Sequence, residues 1–346
     1  MSKPKRIFFV VDISYKPVKM FLNQAPKLAK GFIRLGNDVH LFNYCNTLLQ
    51  VSPLKGKTFS ARFYKSRVDG LLATRIKNYK PDIIYVNFVR ALDAVTIEQM
   101  RQVAPNAVFI GADGDPWPQL QRNRVEAAKK IDILTATNDG EFLQVYRDAG
   151  VPFCIFMPNL CDPDIDHRYE VSQEWKTDIL WTGQIRHNPK RFPGEAMRYE
   201  LVTRLVRMKN CTVYGCCGRP EIGGINYLYT ISGARIGLTI NADNSVRLYH
   251  SDRLTHYLSC GTFVLAKRVP DTDLLFKDGL HLRYFDSVEE FFDLTNWYLN
   301  HESERIKIAN AGMQRVHTEF NCEKIAKYML DLIETGTYDA PWTQTL

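Results

Sequence analysis

No run of roughly 18 apolar residues occurs in this chain, so it offers no transmembrane helix. Its eight cysteines show no C-x-x-C spacing, and His/Cys/Asp/Glu clusters with metal-ligand spacing are missing as well. Zinc ribbons and thioredoxin-type redox motifs are thereby excluded. Cys216 and Cys217 are adjacent and not easily bridged to each other, and all eight cysteines read as reduced thiols of a cytoplasmic protein. There is no repeat of solenoid period and no low-complexity tract. No G-x-G-x-x-G is present; the Gly-rich run 215–224 lacks that spacing and reads as a loop.

What the chain does have is ordinary globular composition, with 45% hydrophobic and 24% charged residues over 346 positions. That length suits two domains of about 150 residues each. The net charge of +7 is unevenly placed. Between residues 186 and 209 lie Arg186, Lys190, Arg191, Arg198, Arg204, Arg207 and Lys209, against only Glu195 and Glu200. This segment reads either as a solvated helix face or as a contact for an anionic partner: a nucleotide diphosphate, a lipid surface or nucleic acid.

Apolar runs alternate with helical periodicity. Ile7–Val11 ends at Asp12, too short for a signal peptide, and reads as a first strand. Strands follow at 39–44, 83–87, 107–111, 131–136 and 153–157, with helices at 25–35 and 140–149. After an Asp/Pro-rich linker at 158–174 the alternation resumes, with strands at 178–181, 212–214, 236–240 and 262–266. This pattern predicts two doubly wound parallel sheets covered by helices. Ligands are then expected beyond the C-terminal strand ends.

Four places could carry chemistry. Thr182-Gly183-Gln184-Ile185-Arg186 follows an apolar strand, and a glycine there lets backbone N–H groups approach a phosphate, with Arg186, Lys190 or Arg191 adding charge. Asp113-Gly114-Asp115-Pro116-Trp117 follows the fourth strand. Asp113 or Asp115 could act as a general base and Trp117 could offer a stacking face, although Asp, Gly and Pro are equally turn formers. Asn241–Arg247 with Ser251, Asp252 and Arg253 could hold a diphosphate, while Ser251 and Asp252 are also good caps of the next helix. The Gly215–Pro220 loop is the fourth.

Ser251–Phe285 (SDRLTHYLSCGTFVLAKRVPDTDLLFKDGLHLRYF) combines an Arg, a helix ending in Cys-Gly, an apolar strand, and Phe276-x-Asp278-Gly279-x-His281. Downstream, Glu304–Gly312 reads ER-x-x-IA-x-AG. This combination resembles the C-terminal domain of group-1-like glycosyltransferases with the GT-B fold, in particular the branch named after the spore maturation protein CgeB. The resemblance covers most of the C-terminal half. It implies two Rossmann-like domains facing a cleft: 1–165 as acceptor domain, 175–318 as nucleotide-sugar domain, and 319–346 as a helix and tail packing back on the first. It implies donor contacts from Gly183, Gln184, Arg186, Asn241, Ser251, Asp252, Arg253 and His256, the last standing where relatives carry a ribose-binding Glu. Asp113 and Asp115 become the candidate bases, Asp12 and Trp117 the acceptor contacts. The expected partners are a nucleotide sugar as co-substrate and a glycan, lipid-linked or nucleic-acid acceptor, the last through hydroxylated DNA bases. Membrane or DNA contact through 186–209 is a further expectation. No separate cofactor and no metal are expected; a non-catalytic sugar-nucleotide binder is the alternative of another class.

Overall fold

A computed structural model describes residues 3–13, 23–53, 57–114, 122–185 and 194–343 of the protein. They divide into two compact units. The first holds residues 3–13, 25–53, 57–114, 122–158 and 329–336; the second holds 23–24, 159–185, 194–328 and 337–343. The last helix, α12 (Cys322–Thr335), is shared, its first half counting with the second unit and its second half with the first.

The first unit is built on β1 (Arg6–Val11), β2 (Asp38–Asn43), β3 (Ile83–Val86), β4 (Val108–Ala112), β5 (Ile133–Ala136) and β6 (Cys154–Phe156). These strands form one parallel sheet in the order β2-β1-β3-β4-β5-β6. The central strands are apolar on both faces because helices cover both; Ile7, Phe8 and Phe9 are all fully buried. The helices are α1 (Gln24–Arg34), α2 (Tyr44–Val51), α3 (Lys57–Tyr79), α4 (Ala94–Val103), α5 (Arg122–Ala128) and α6 (Glu141–Asp148). Strand order reverses between β1 and β3, so the switch point of this sheet lies there.

The second unit contains β7 (Thr177–Thr182), β8 (Cys211–Tyr214), β9 (Ala234–Thr239), β10 (Phe263–Lys267) and β11 (Arg283–Phe285), all parallel, in the order β11-β10-β9-β7-β8. Its helices are α7 (Glu195–Leu205), α8 (Ile225–Gly233), α9 (Asp252–Ser259), α10 (Val288–Asn300) and α11 (Glu302–Glu319). The switch point falls between β7 and β9. A fully buried Trp181, with Leu201, Ile236, Phe263 and Phe291, anchors the core on one face.

α9 ends as the sequence predicts. Gly261 has φ +70° and its N–H reaches Leu258 O at 2.9 Å, while Thr262 N–H reaches Tyr257 O at 3.0 Å. That double bond is a Schellman turn, and the left-handed residue at its corner favours glycine. The doubly wound parallel sheets read from the alternation are thus the architecture observed. The segment 158–174 departs from a plain linker: Asn159, Leu160, Cys161, Asp162 and Asp166 are buried, and Asp162 N–H donates to the Asp166 carboxylate at 2.8 Å.

Candidate functional site

The site with the strongest chemistry in the second unit lies at its switch point. β7 delivers Gly183 and β9 delivers Asn241 at the open strand ends. Arg253, in the first turn of α9, reaches across both. Its Nη1 donates to Thr182 O at 2.7 Å and its Nη2 to Ile240 O at 3.0 Å, the carbonyls at the ends of the two strands flanking the switch. The guanidinium lies 4.0 Å over the Trp181 ring. Trp181 is itself fixed, its indole N–H donating to Gly183 O at 3.0 Å.

Two features set this arginine apart. It sits at a helix N-terminus, where the helix macrodipole disfavours a cation. And among the described residues no carboxylate pairs with it: its Nη1 and Nη2 donate to backbone carbonyls, and its Nε is buried without a partner. Desolvation pushes its pKa down from the ordinary arginine value, so the charge is held at a cost that an anion would relieve. Ser251 stands at the N-cap position of α9, but its hydroxyl makes no capping bond, and Oγ is buried without a partner. The N–H groups of that first turn therefore keep their donors for something other than the Ser251 side chain.

Gly183 is required here. Its φ is +142°, and a Cβ on it would stand 2.5 Å from Arg253 Nη1. Asn241 serves the neighbouring loop: its side-chain amide donates to Tyr249 O at 3.1 Å, its backbone N–H to Asn244 Oδ1 at 3.0 Å, and Asn244 returns a bond to Asn241 O at 3.1 Å. Gln184 is exposed and donates to Glu221 at 3.2 Å. Asp252 stands in the first turn of α9, half-buried.

His256 is placed differently from its expected role. Its side chain is 1% exposed, and Nδ1 faces the Tyr227 hydroxyl at 3.2 Å between α8 and α9. Tyr257, beside it, shares a hydrogen bond with the Thr182 hydroxyl at 2.9 Å. The imidazole is thus turned into the fold, and a ribose contact from it finds no support in this geometry. The turn Asp278-Gly279-x-His281 is likewise structural: Asp278 accepts from Tyr284 N–H at 3.1 Å and pairs with Arg268 at 3.0 Å. Lys267 and Arg268, at the end of β10, are held by Asp286, Asp273 and Asp278. Arg198 pairs with the buried Glu195 at 2.6 Å, and Arg204 covers the Phe292 ring, so part of the basic stretch serves the fold.

In the first unit, Asp113 ends β4 and is 0% exposed. Both of its oxygens accept from Arg124 of α5, and Tyr146 of α6 donates to it as well. A carboxylate so enclosed cannot reach a hydroxyl in solvent, which corrects the expectation of a base at Asp113. Gly114 O accepts from Thr137 at 2.7 Å and from Asn138 at 3.0 Å, tying β4 to β5 at this end. Asp12 follows β1, half-buried, beside the switch point of the first sheet. Asp115, Trp117, Arg186, Lys190 and Arg191 lie outside the described residues. Trp181 is the residue of this arrangement that the sequence did not single out; the signal available was an aromatic directly before Thr182-Gly183 at a strand end.

Residues 180–331 match a family model described as glycosyl transferase-like. No curated protein matches the sequence. Among solved structures, HepE from Anabaena in complex with UDP-glucose is similar over 96% of this chain and 100% of its own, at 12% identity and a TM-score of 0.61. Sucrose-phosphate synthase from Thermosynechococcus elongatus is similar over 95% and 98%, at 13% identity and a TM-score of 0.63. A UDP-N-acetylglucosamine 2-epimerase assignment in Listeria monocytogenes goes with a structure similar over 96% and 97%, at 11% identity and 0.55. At these identities the likeness is one of fold. The chain has the two-domain GT-B fold, with residues 180–331 similar to the glycosyl transferase-like family.

Proposed function

We propose that the protein is a glycosyltransferase that takes its sugar from a nucleoside-diphosphate sugar bound on the second unit. The observation that carries this reading is Arg253. It spans the strand ends at the switch point, lies over the Trp181 ring, sits in the first turn of α9, and touches no carboxylate among the described residues. A diphosphate is the ligand class such a site stabilises. It presents several anionic oxygens to a guanidinium fork and to the N–H groups of a helix start. In group transfer the diphosphate leaves and gains charge, so the same contacts strengthen as the bond breaks. The match of residues 180–331 to the glycosyl transferase-like family and the UDP-glucose complex of HepE support the choice of a nucleotide sugar.

We read the chain as CgeB-like on Arg253, Cys260-Gly261 and Asp278-Gly279-x-His281, with a surface glycan or glycoconjugate as acceptor. Arg253 and the α9 N-terminus supply the positive charge in this scheme, with no metal assigned. With Asp113 enclosed by Arg124 and Tyr146, the acceptor's base falls to Asp115 or Asp12. Arg253, Ser251 and Gly183 form the donor site; Gln184 and Asp252 line its rim.

The test is a panel of nucleotide sugars screened by thermal shift, followed by nucleotide release with and without acceptor. Stabilisation by a nucleotide sugar and acceptor-dependent release is the expected result. Stabilisation with no turnover on any acceptor would make the protein a sugar-nucleotide binder. No stabilisation by any member of the panel would refute the reading.

A further inference from the structure

The loop after β8 joins the candidate donor site. Gly215 packs on the Gly183 turn so closely that a Cβ there would lie 3.2 Å from Gly183 O. Gly215 N–H donates to Pro220 O at 2.8 Å, and Arg219 N–H to Cys216 O at 2.9 Å, which closes residues 215–220 into a compact loop. Three of its residues are in left-handed backbone: Gly215 at φ +83°, Cys217 at +52° and Gly218 at +71°. A left-handed cysteine is uncommon and marks local strain.

The two adjacent thiols differ in setting. Cys216 is half-buried and packs against the core that contains Trp181. Of the eight cysteines, Cys217 alone is exposed; five are buried, and Cys211 and Cys216 are half-buried. Burial, then the neighbouring Cys217, push the Cys216 thiol up, and by its exposure Cys217 is the sulfur that an oxidant in solvent can reach.

We propose that Cys216 and Cys217 form a reversible vicinal disulfide that controls nucleotide-sugar binding through the Gly183 turn and Trp181. The reaction balances with a small disulfide such as glutathione disulfide as oxidant. The Cys217 thiolate attacks one sulfur of that disulfide, forming a mixed disulfide and expelling one glutathione thiolate. Cys216 then attacks the Cys217 sulfur, its proton passing to the expelled thiolate, and the second glutathione leaves. Two thiols lose two electrons and two protons; one glutathione disulfide becomes two glutathiones. Adjacent residues hold their Cα atoms closer than ordinary disulfides do, so the bond is strained and readily reduced. Strained, exposed disulfides are the labile and regulatory ones.

Closing the ring must rebuild the loop, because residues 215–220 are already fixed by two backbone bonds and by contact with Gly183. Displacement there moves Gly183 O, which holds the Trp181 indole at 3.0 Å, and Trp181 is the platform beneath Arg253. The adjacency alone, on ordinary backbone, argues against a bridge. Cys217, at φ +52°, is not on ordinary backbone.

This inference rests on the donor site proposed above, and the experiment separates the two. The full-length protein is equilibrated in glutathione buffers of graded redox ratio. Peptide mass mapping then follows residues 216 and 217, and UDP-glucose affinity is measured in each state. The expected result is a Cys216–Cys217 disulfide that forms and reverses. Donor affinity should fall by about tenfold in the oxidised state, a typical coupling between linked sites. Cys217→Ser should bind donor as the reduced protein does and lose all redox dependence. A stable single glutathione adduct on Cys217, no oxidation at all, or equal donor affinity in both states would each overturn the proposal. If the disulfide forms but neither state binds any nucleotide sugar, the donor reading fails and with it the coupling.

Discussion

Replacing Arg253 with alanine removes the cation on which the donor site depends. Two effects follow and can be separated. For the fold, the carbonyls of Thr182 and Ile240 lose their partners and the Trp181 face is uncovered. An unsatisfied buried acceptor costs about 1–3 kcal/mol, so a measurable but tolerable fall in stability is expected. For the ligand, the loss of one charge-assisted bond to a phosphate costs about 2 kcal/mol, or roughly thirtyfold in Kd. Arg253→Lys keeps the charge but cannot reach both strand ends with a planar fork, so it should recover only part of the affinity. Calorimetric titration of UDP-glucose, with urea unfolding of the same samples, reads both effects. If Arg253→Ala binds donor within twofold of the wild type while remaining folded, the assignment of Arg253 to the diphosphate is wrong.

Gly183→Ala places a Cβ 2.5 Å from Arg253 Nη1 on backbone at φ +142° and should weaken donor binding more than it lowers Tm. The strained backbone costs on the order of 1–3 kcal/mol, and comparison of Kd with Tm checks the split. Asp113→Asn breaks a buried pair with Arg124 and should destabilise by roughly 3–5 kcal/mol in urea unfolding. A variant of wild-type stability with turnover abolished would instead restore Asp113 as a catalytic base. His250, 3% exposed, has its pKa lowered to about 4 by desolvation. Its folded value lies below its unfolded value, so the unfolded chain binds the extra proton first, and stability present above about pH 6.5 is lost as pH falls towards 4. The full shift corresponds to about 3 kcal/mol; His250→Gln should flatten the pH dependence of urea unfolding over that window, and an unchanged slope would contradict it.

Much of this architecture was legible because parallel strands buried on both faces write themselves as unbroken apolar runs. Ile7–Val11 is such a run and falls within a residue of the observed β1; Ile236–Ile240, broken only by Thr239, falls within two residues of β9. Gly261 was legible for a backbone reason, since a helix needs a left-handed residue to stop in a Schellman turn. The helices α2, α3, α4 and α5 were not legible in the sequence. α3 has almost no apolar periodicity, and its place is set by tertiary pairs such as Tyr44–Asp69 at 2.6 Å and Lys65–Thr96 at 2.6 Å. At the site, Arg253 was visible by its place at the start of a helix ending in Cys-Gly, as in the glycosyltransferases that the segment resembles. Its bridging of β7 and β9 was not, because strand order is not written in local sequence. Asp113 and His256 misled for one reason: side-chain chemistry can be read from a sequence, but burial among Arg124, Tyr146 or Tyr227 cannot.

The most direct test of the account is crystallographic: a complex with UDP-glucose, with the position of the diphosphate read from difference density. The account predicts phosphate oxygens within hydrogen-bonding distance of Arg253, the Ser251 hydroxyl and the first-turn N–H groups of α9, beside Gly183. Density for the nucleotide at any other place in the molecule, with Arg253 still bound only to Thr182 and Ile240, would contradict it.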